Sequence, residues 1–545
     1  MLHGTKSLGQ YFTPKHIADF MCELISKDKS ATILDPSAGK GVFLNSLCDH
    51  GFKNLKAYEI DESIPNESCI HIDYRDFLSV SVDEKYDVIV GNPPYVRWKN
   101  IPEQWRKIFR HDEYWSRIMN GLGDLTYTFI YHAVNLLKKG GELIFICPLF
   151  WTETFHGKHL REHLSNNGSL ELLINLNEAR VFKEVSSTTL IFKYVKGVKL
   201  PYTKVVEYRS KRPVISEVMK DISQLITRLG IKESAADVCI EEGNFRAYLF
   251  KQFSGSKPWH PIPPNEKMVR EIDMIQNVFH LQGKIAEIGN GMVSGLDTAF
   301  RISEEDLNYL NIKERGSLIY VYKANTLERY FPIGRPTPYI FVNHVRTEDE
   351  LLEYYPHIFH RLSPYKERLE KRYSYYRDIP WWHWVFLRNK SLFEAYNQKI
   401  FVPSKDRYDS RGYFRFALIC SENDRVYYAT QDVTAICVKR EAREGIEYIL
   451  GLLNSQPIQK WIMIKGFSRG GVHDFSEEPI KDIPIPKVDW NDSRQKELHR
   501  LIVDVVKETV ARRELGKISE IDSYVEELLR LKKKSETLPL TTFAK

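Results

Sequence analysis

Between residue 31 and about residue 196 the chain alternates short apolar runs with helix-compatible segments. That rhythm predicts a parallel sheet whose strands are joined by crossover helices, and so an α/β fold. The strand candidates are Ala31 to Leu34, Lys56 to Ile60, Cys69 to Ile72, Tyr86 to Val90 and Glu142 to Cys147. Leu170 to Leu176 and Thr188 to Val195 are rich in branched residues and complete a sheet of seven strands. Gly41 to His50 and Leu125 to Lys138 are expected as covering helices, the second stopped by Gly140-Gly141.

A chain of 545 residues is too long for a single core, which rarely grows beyond about 250 to 300 residues. The pattern loosens between about 197 and 260, with a helical patch at Ser216 to Leu229 and a Gly/Ser/Pro-rich joint from Ser254 to Pro264. Domains are therefore expected at 1–260 and 261–545. The second is strand-rich, mixed α/β and aromatic, and it ends in helices from about residue 493.

The seven cysteines are scattered with no CxxC pair, which predicts reduced thiols in a cytoplasm and neither a disulfide framework nor a structural zinc. The start, Met1 to Lys6, lacks the apolar core of a signal peptide, and no run approaches the roughly 20 apolar residues of a membrane span. A net charge of +6, from 78 basic and 72 acidic residues, permits nucleic-acid binding without demonstrating it.

The first strand ends in Asp35-Pro36-Ser37-Ala38-Gly39-Lys40-Gly41. A Gly-x-Gly turn here lets a ligand approach backbone amides and a helix terminus. The dinucleotide fingerprint would place a glycine where Leu44 stands, and a phosphate-binding loop would need Ser or Thr after Gly-Lys, so both fail. Glu59 lies at the tip of the next strand, 18 residues beyond Gly41, near the spacing of about 20 for an acid that binds ribose hydroxyls. Asp76-Phe77 follows the third strand and offers an amine acceptor and a stacking face. Taken singly, Asp35 could be a helix cap, Glu59 a solvated strand end and Phe77 core. Their succession along the carboxyl edge of a parallel sheet predicts a nucleoside ligand.

After the apolar run Tyr86 to Val90 comes Asn92-Pro93-Pro94-Tyr95. An exocyclic amine on an aromatic ring is a poor nucleophile because its lone pair is delocalised. If the Asn92 side-chain oxygen and the Pro93 carbonyl both accept from one NH2 group, the nitrogen moves toward tetrahedral geometry and the lone pair is localised. Tyr95 is placed to stack on the same ring system.

In that order, Leu8-Gly9-Gln10-Tyr11-Phe12-Thr13-Pro14, Asp35 to Gly41, Glu59-Ile60-Asp61, Asp76-Phe77 and Asn92 to Tyr95 resemble the gamma-type N6-adenine DNA methyltransferases of restriction-modification systems. Asn-Pro-Pro-Tyr alone is shared with glutamine methyltransferases acting on proteins. The resemblance implies a class I S-adenosylmethionine-dependent methyltransferase fold, a Rossmann-like seven-stranded sheet, with S-adenosylmethionine as cofactor and no metal. It implies Thr13 near the methionine end, Asp35, Ser37, Gly39 and Gly41 at the turn, Glu59 on the ribose and Asp76 on the adenine amine. Ile60 and Phe77 then cover the ring faces. The target adenine must leave the duplex to reach such a pocket. The family uses a second aromatic after the fifth strand, and among Phe150, Trp151 and Phe155 the favoured residue is Phe155.

In the second half, Arg361 to Arg388 interleaves seven basic residues with eight aromatics and three acids, including Tyr373, Tyr375, Tyr376, Trp381, Trp382 and Trp384. Such a segment can bind phosphates and bases together or form an aromatic core. Gly289 to Phe300 resembles the opening strand and loop of the family's target-recognition domain. Gly451 to Ser455 and Ile483 to Pro486 resemble its closing elements. Lys465 to His473 has the composition of a flexible basic loop for a DNA groove, with Arg469 facing guanine or phosphate.

The expectation is a site-specific adenine-N6 methyltransferase of double-stranded DNA, a cytoplasmic monomer. The first family motif begins at Leu8, leaving no room before it for a nuclease domain, so methylation without cleavage is expected, with any cognate endonuclease on a separate chain. The alternatives are a protein-glutamine or RNA methyltransferase and an inactive DNA-binding specificity module.

Overall fold

The computed structural model describes residues 9–119, 123–182, 188–231, 238–275, 278–281, 283, 285–375, 377–408, 411–422, 425–469 and 471–537. Leu8, Met1 to Lys6, Tyr376 and Gly470 lie outside the described residues. The chain divides into two compact units, Met1–Glu266 and Lys267–Lys545.

The first unit is built on one sheet of β1 (Ile33–Asp35), β2 (Leu55–Glu59), β3 (Asp73–Tyr74), β4 (Tyr86–Gly91), β5 (Leu137–Pro148), β6 (Gly168–Asn175), β7 (Thr189–Lys196), β8 (Tyr202–Tyr208), β9 (Cys239–Glu242) and β10 (Phe245–Lys251). Their order is β3-β2-β1-β4-β5-β7-β6-β8-β10-β9. The strands from β3 to β5 are parallel, and β7 runs antiparallel to both β5 and β6. This first part, β3-β2-β1-β4-β5-β7-β6, is the class I methyltransferase fold. Period-two geometry sends alternate side chains to opposite faces. Val88 and Val90 of β4, with Ile144 and Ile146 of β5, enter one core beside α1 (Lys15–Glu23) and α2 (Val42–Asp49). Ile89, Leu143, Phe145 and Cys147 enter the other, beneath the helix Leu125–Leu136.

The expected seven strands are thus the first part of a ten-stranded sheet. The described residues between 197 and 260 are not loose. β8 pairs in parallel with β6, and β10 joins antiparallel to β8, so that Val205, Val206, Ala247 and Tyr248 are buried. The helix Ser216–Ile231 lies on this extension, its Ile222, Leu225 and Leu229 in the same core as Val206. The third strand is also shifted, to Asp73–Tyr74 in place of Cys69 to Ile72. The Gly140-Gly141 pair does not stop the preceding helix. Leu137 already pairs with Tyr86, and the glycines sit inside β5, where Gly140 takes a left-handed φ of 76°.

The second unit holds an antiparallel sheet of the strands Ala286–Asn290, Val433–Val438, Gln398–Pro403 and Ala417–Cys420, in that spatial order. A three-stranded sheet of Thr337–Ile340, Leu318–Tyr322 and Tyr427–Ala429 accompanies it. The C-terminal helical segment is two helices, Ser493–Arg512 and Ile518–Thr537. The Asp492 carboxylate caps the first by accepting from the amides of Arg494 and Gln495, and Arg513 ends it at φ 56°. Leu498, Ile502 and Val506 on the first helix and Ile521, Val525 and Leu528 on the second are buried at helical spacing.

Candidate active site

The strand order reverses between β1 and β4, and ligands of open parallel sheets bind outside the carboxyl ends of the strands at such a point. Asp35 ends β1, and Gly91 ends β4 just before Asn92. The two strand ends are in contact. A Cβ on Gly91 would meet Asp35 Oδ1 at 2.8 Å, so only glycine fits beside that carboxylate.

The Asn92 side chain is held at both ends. Its Nδ2 donates to the Tyr11 carbonyl at 2.7 Å and to Thr13 Oγ1 at 3.1 Å, while its Oδ1 accepts from the Tyr95 hydroxyl at 2.6 Å. Turning the amide over would press its oxygen against the Tyr11 carbonyl, so these contacts fix its orientation. An amide oxygen accepts twice, and one lone pair of Oδ1 remains beyond the Tyr95 bond.

The three carbonyls that follow are treated differently. That of Asn92 accepts from Ser37 Oγ at 2.9 Å, and that of Pro94 accepts from Thr126 Oγ1 at 3.0 Å. Between them, the Pro93 carbonyl has no hydrogen-bond donor among the described residues. Asp124 supports Thr126 by accepting from its amide at 3.0 Å, and its carboxylate lies 2.8 Å from the Thr126 hydroxyl, whose one proton is shared between that oxygen and the Pro94 carbonyl. Burial pushes the Asp124 carboxyl up to about 6, against the lowering effect of those bonds.

Tyr95 is half-buried, its ring 5.3 Å from that of Tyr11 and 6.2 Å from that of Phe182. Its hydroxyl also lies 3.1 Å from the Ile146 carbonyl, and burial raises its pKa well above the ordinary tyrosine value. The Tyr95 amide donates to the Gly9 carbonyl at 3.2 Å. Gly9, at φ 64°, has no room for a Cβ, which would lie 2.7 Å from the Tyr95 carbonyl oxygen. The segment before α1 therefore closes over the strand end through backbone contacts. The contributions of Gly9, Tyr11, Thr126 and Phe182 do not follow from residue type in a sequence, because three of these four act through backbone atoms or ring packing.

On the β1 side, Ser37 bridges the two loops, its amide donating to Asp35 Oδ1 at 3.2 Å. Asp35 is fully buried and its Oδ2 has no partner among the described residues. Burial is the main cause that pushes its carboxyl up to about 8, and the neighbouring Glu59 adds to it, against the Ser37 amide. Gly39 and Gly41 both have left-handed φ, 52° and 87°, and a Cβ on Gly41 would lie 2.7 Å from Ser68 Cβ. Glu59 is a buried anchor. Its carboxylate accepts from the amides of Gly39 at 2.8 Å, Ile60 at 2.9 Å and Asp61 at 3.0 Å, and burial outweighs these bonds to raise its pKa. Ile60 is 56% exposed at the tip of β2, next to this anchor. Asp76 caps a short turn by accepting from the Leu78 amide at 2.9 Å, and burial raises its pKa.

Phe77 departs from expectation. It is 2% exposed, with its ring 5.0 Å from Phe129 and 4.9 Å from His132, so the stacking face expected of it is spent in the core. Helix packing outcompetes the pocket for that ring. Of the three aromatics after β5, Trp151 is buried and Phe150 half-buried, while Phe155 is 74% exposed. The Phe155 loop is nonetheless held. Thr154 Oγ1 lies 3.0 Å from the Tyr127 hydroxyl, and the buried Arg161 donates to the carbonyls of Trp151 and Thr154 at 2.8 and 2.9 Å.

In the second unit, Trp381, Trp382 and Trp384 are buried, and their indole N–H groups donate to Glu348, the Val345 carbonyl and the Ile340 carbonyl. They belong to the core, and the surface reading survives only for their neighbours. The segment Lys465 to His473 is not an open loop. Ser468–Arg469 pairs with Val472–Asp474 in a hairpin that extends to Lys405–Asp406; the Arg469 side chain lies outside the described residues. Gly451 to Asn454 closes a buried helix, Gly445–Asn454, and Pro484–Pro486 is a short strand paired with Val278–His280.

Residues 29–182 match the family model described as Eco57I restriction-modification methylase. The chain is 40% identical to the Type II methyltransferase M.HindII of Haemophilus influenzae over 525 residues, which cover 96% of this chain and 98% of the relative. It is 37% identical to the Type II methyltransferase M.HincII of Haemophilus influenzae over 523 residues, covering 96% and 97%. Among solved structures it is similar in fold to the Type IIL restriction-modification enzyme MmeI in complex with DNA. That match has a TM-score of 0.61 at 12% identity and covers 97% of this chain and 73% of the other. Near-full-length identity at this level shows that the chain belongs to the type II restriction-modification methyltransferases.

Proposed function

We propose that this chain transfers the methyl group of S-adenosylmethionine to the N6 amine of an adenine flipped out of duplex DNA. The carrying observation is the Pro93 carbonyl, left without a donor among the described residues between two neighbouring carbonyls that each have one, and following directly in sequence on Asn92, whose Oδ1 keeps a lone pair. Two acceptors so placed suit the two hydrogens of one NH2 group. Accepting both draws the nitrogen toward tetrahedral geometry, and the carbonyl dipoles stabilise the positive charge that develops on it. Phe155, exposed on a held loop, and the half-buried Tyr95 ring are the aromatic contacts for the extruded base.

The residues on the β1 side fit the donor. The buried, unpartnered Asp35 Oδ2 suits a cationic ligand, Gly39 and Gly41 keep Cβ atoms out of the turn, and Ile60 offers an open apolar face. Thr13, Ser37, Glu59 and Asp76 supply the remaining polar groups. When bound, S-adenosylmethionine contributes an electrophilic methyl on a sulfonium. In this reading the second unit recognises the target sequence, and the protein acts as a cytoplasmic monomer beside a separate endonuclease.

The test is to incubate unmethylated plasmid with the protein and S-adenosylmethionine and to map modified bases by sequencing. N6-methyladenine at one recurring sequence is expected. A product of N4-methylcytosine, or no modified base, would overturn the proposal.

A further inference from the structure

Among the basic residues of the 361–388 segment, Arg361, Lys366 and Lys371 pair with Asp306, Glu348 and Glu367. Arg377 and Arg388 have no carboxylate within ion-pair distance among the described residues. Both instead meet one ring. The guanidinium carbon of Arg377 lies 4.2 Å from the Phe386 centroid and that of Arg388 lies 5.2 Å from it. Tyr375 packs against the same ring at 5.6 Å and touches Tyr373 at 4.7 Å, and Tyr373 is 63% exposed.

The cluster is held on a fixed frame. Phe386 exchanges both backbone hydrogen bonds with Val293, at 2.8 and 3.1 Å. Arg372 donates to the Ser294 carbonyl at 3.0 Å, and a Cβ on Gly295 would collide with Val385 and Arg372. Asn389, next to Arg388, donates to the Asn290 carbonyl at 3.0 Å and to Glu477 at 2.9 Å. Tyr375 takes a left-handed φ of 55°, a conformation that bulky side chains avoid and that the frame must impose.

Two cations anchored near one ring repel each other, and the ring's quadrupole only partly offsets that repulsion. A ligand with anionic groups at a regular spacing completes the charge balance. Guanidinium forks match phosphate oxygens, and the tyrosines beside them provide flat apolar contact. Arg377 and Tyr373 are exposed and Tyr375, Phe386 and Arg388 half-buried, so the cluster opens to solvent.

We propose that Arg377, Arg388, Phe386, Tyr375 and Tyr373 form a contact surface for the phosphate backbone of duplex DNA. The proposal rests on the duplex-DNA reading above and adds to it a site and a kind of contact, one that holds the duplex without reading its sequence.

The test is the salt dependence of binding to two fluorescent duplexes of unrelated sequence, using the full chain. For the Arg377→Gln/Arg388→Gln variant, the slope of log affinity against log salt should fall by about 1.8, roughly 0.9 for each lost phosphate contact. Affinity should drop by the same factor for both duplexes. The Arg377→Lys/Arg388→Lys variant keeps the charges and should restore most of the slope. Binding of S-adenosylmethionine and the thermal midpoint should match wild type, which separates the effect from misfolding. An unchanged slope in a variant of a wild type that binds DNA overturns this surface. So does a loss confined to one duplex, and so does a structured RNA that competes better than either duplex. A wild type that neither binds nor methylates DNA would overturn the proposed function instead.

Discussion

The Tyr95 hydroxyl donates to the Oδ1 of Asn92 across 2.6 Å, so the ring proposed to grip the base is also tied to the acceptor proposed to activate it. With the Nδ2 bonds to Tyr11 and Thr13, it leaves the Asn92 amide no freedom to turn. Tyr95→Phe keeps the ring and removes the hydroxyl, and with it this bond and the contact to the Ile146 carbonyl. We expect kcat to fall by about 2- to 10-fold, the equivalent of one net hydrogen bond of ~0.5–1.5 kcal/mol, with the KM for DNA unchanged. A rise in KM at constant kcat would assign Tyr95 to base stacking alone.

Asn92→Ala removes the side-chain acceptor while leaving the Pro93 carbonyl in place. Methyl transfer should fall by at least about 100-fold, the loss typical of deleting one group that stabilises developing charge. S-adenosylmethionine affinity, measured by calorimetry, should stay near wild type. Near-normal turnover would remove the paired-acceptor mechanism.

Phe155→Ala should leave stability within about 0.5 kcal/mol of wild type, because the ring is 74% exposed. It should weaken capture of the extruded base by roughly 1–3 kcal/mol, the worth of one base–aromatic stack. A duplex carrying 2-aminopurine at the target position reports this as a smaller fluorescence rise at saturating protein. An undiminished rise would move the second aromatic contact to another residue.

The Asp35 carboxyl, pushed up to about 8 by burial, gives the ligand-free protein a specific pH dependence. The folded state holds a proton that the unfolded chain releases above about pH 4, so this group makes stability fall as pH rises from about 4 to about 8. Asp35→Asn cannot ionise and should flatten that fall. Thermal midpoints of both proteins at pH 5 and pH 8, without ligand, make the comparison. Parallel declines would show that Asp35 is ionised in the folded protein or does not dominate the dependence.

The alternation of short apolar runs was enough to locate the core strands, because a strand buried in a parallel sheet must be apolar wherever it runs. The order of Asp35, Glu59, Asp76 and Asn92 was legible for a related reason: each follows a strand, and a parallel sheet brings those ends to one edge. Residue type was a poorer guide where two fates compete for one side chain. Phe77 suits a stacking face or a core, and contacts with Phe129 and His132 decided for the core. The same competition buried Trp381, Trp382 and Trp384 and left Tyr373 outside.

By itself, then, the sequence determined where the strands of the first unit up to β7 lie, apart from β3, and which chemical groups stand at their ends. Only the tertiary structure decided the β8–β10 extension, the orientation of the Asn92 amide and the open Pro93 carbonyl. The physical reason is range. Periodicity and turn chemistry act within about ten residues, whereas Asn92 is aligned by Tyr11 and Thr13, some 80 positions away, and contacts at that separation exist only once the sheet has formed.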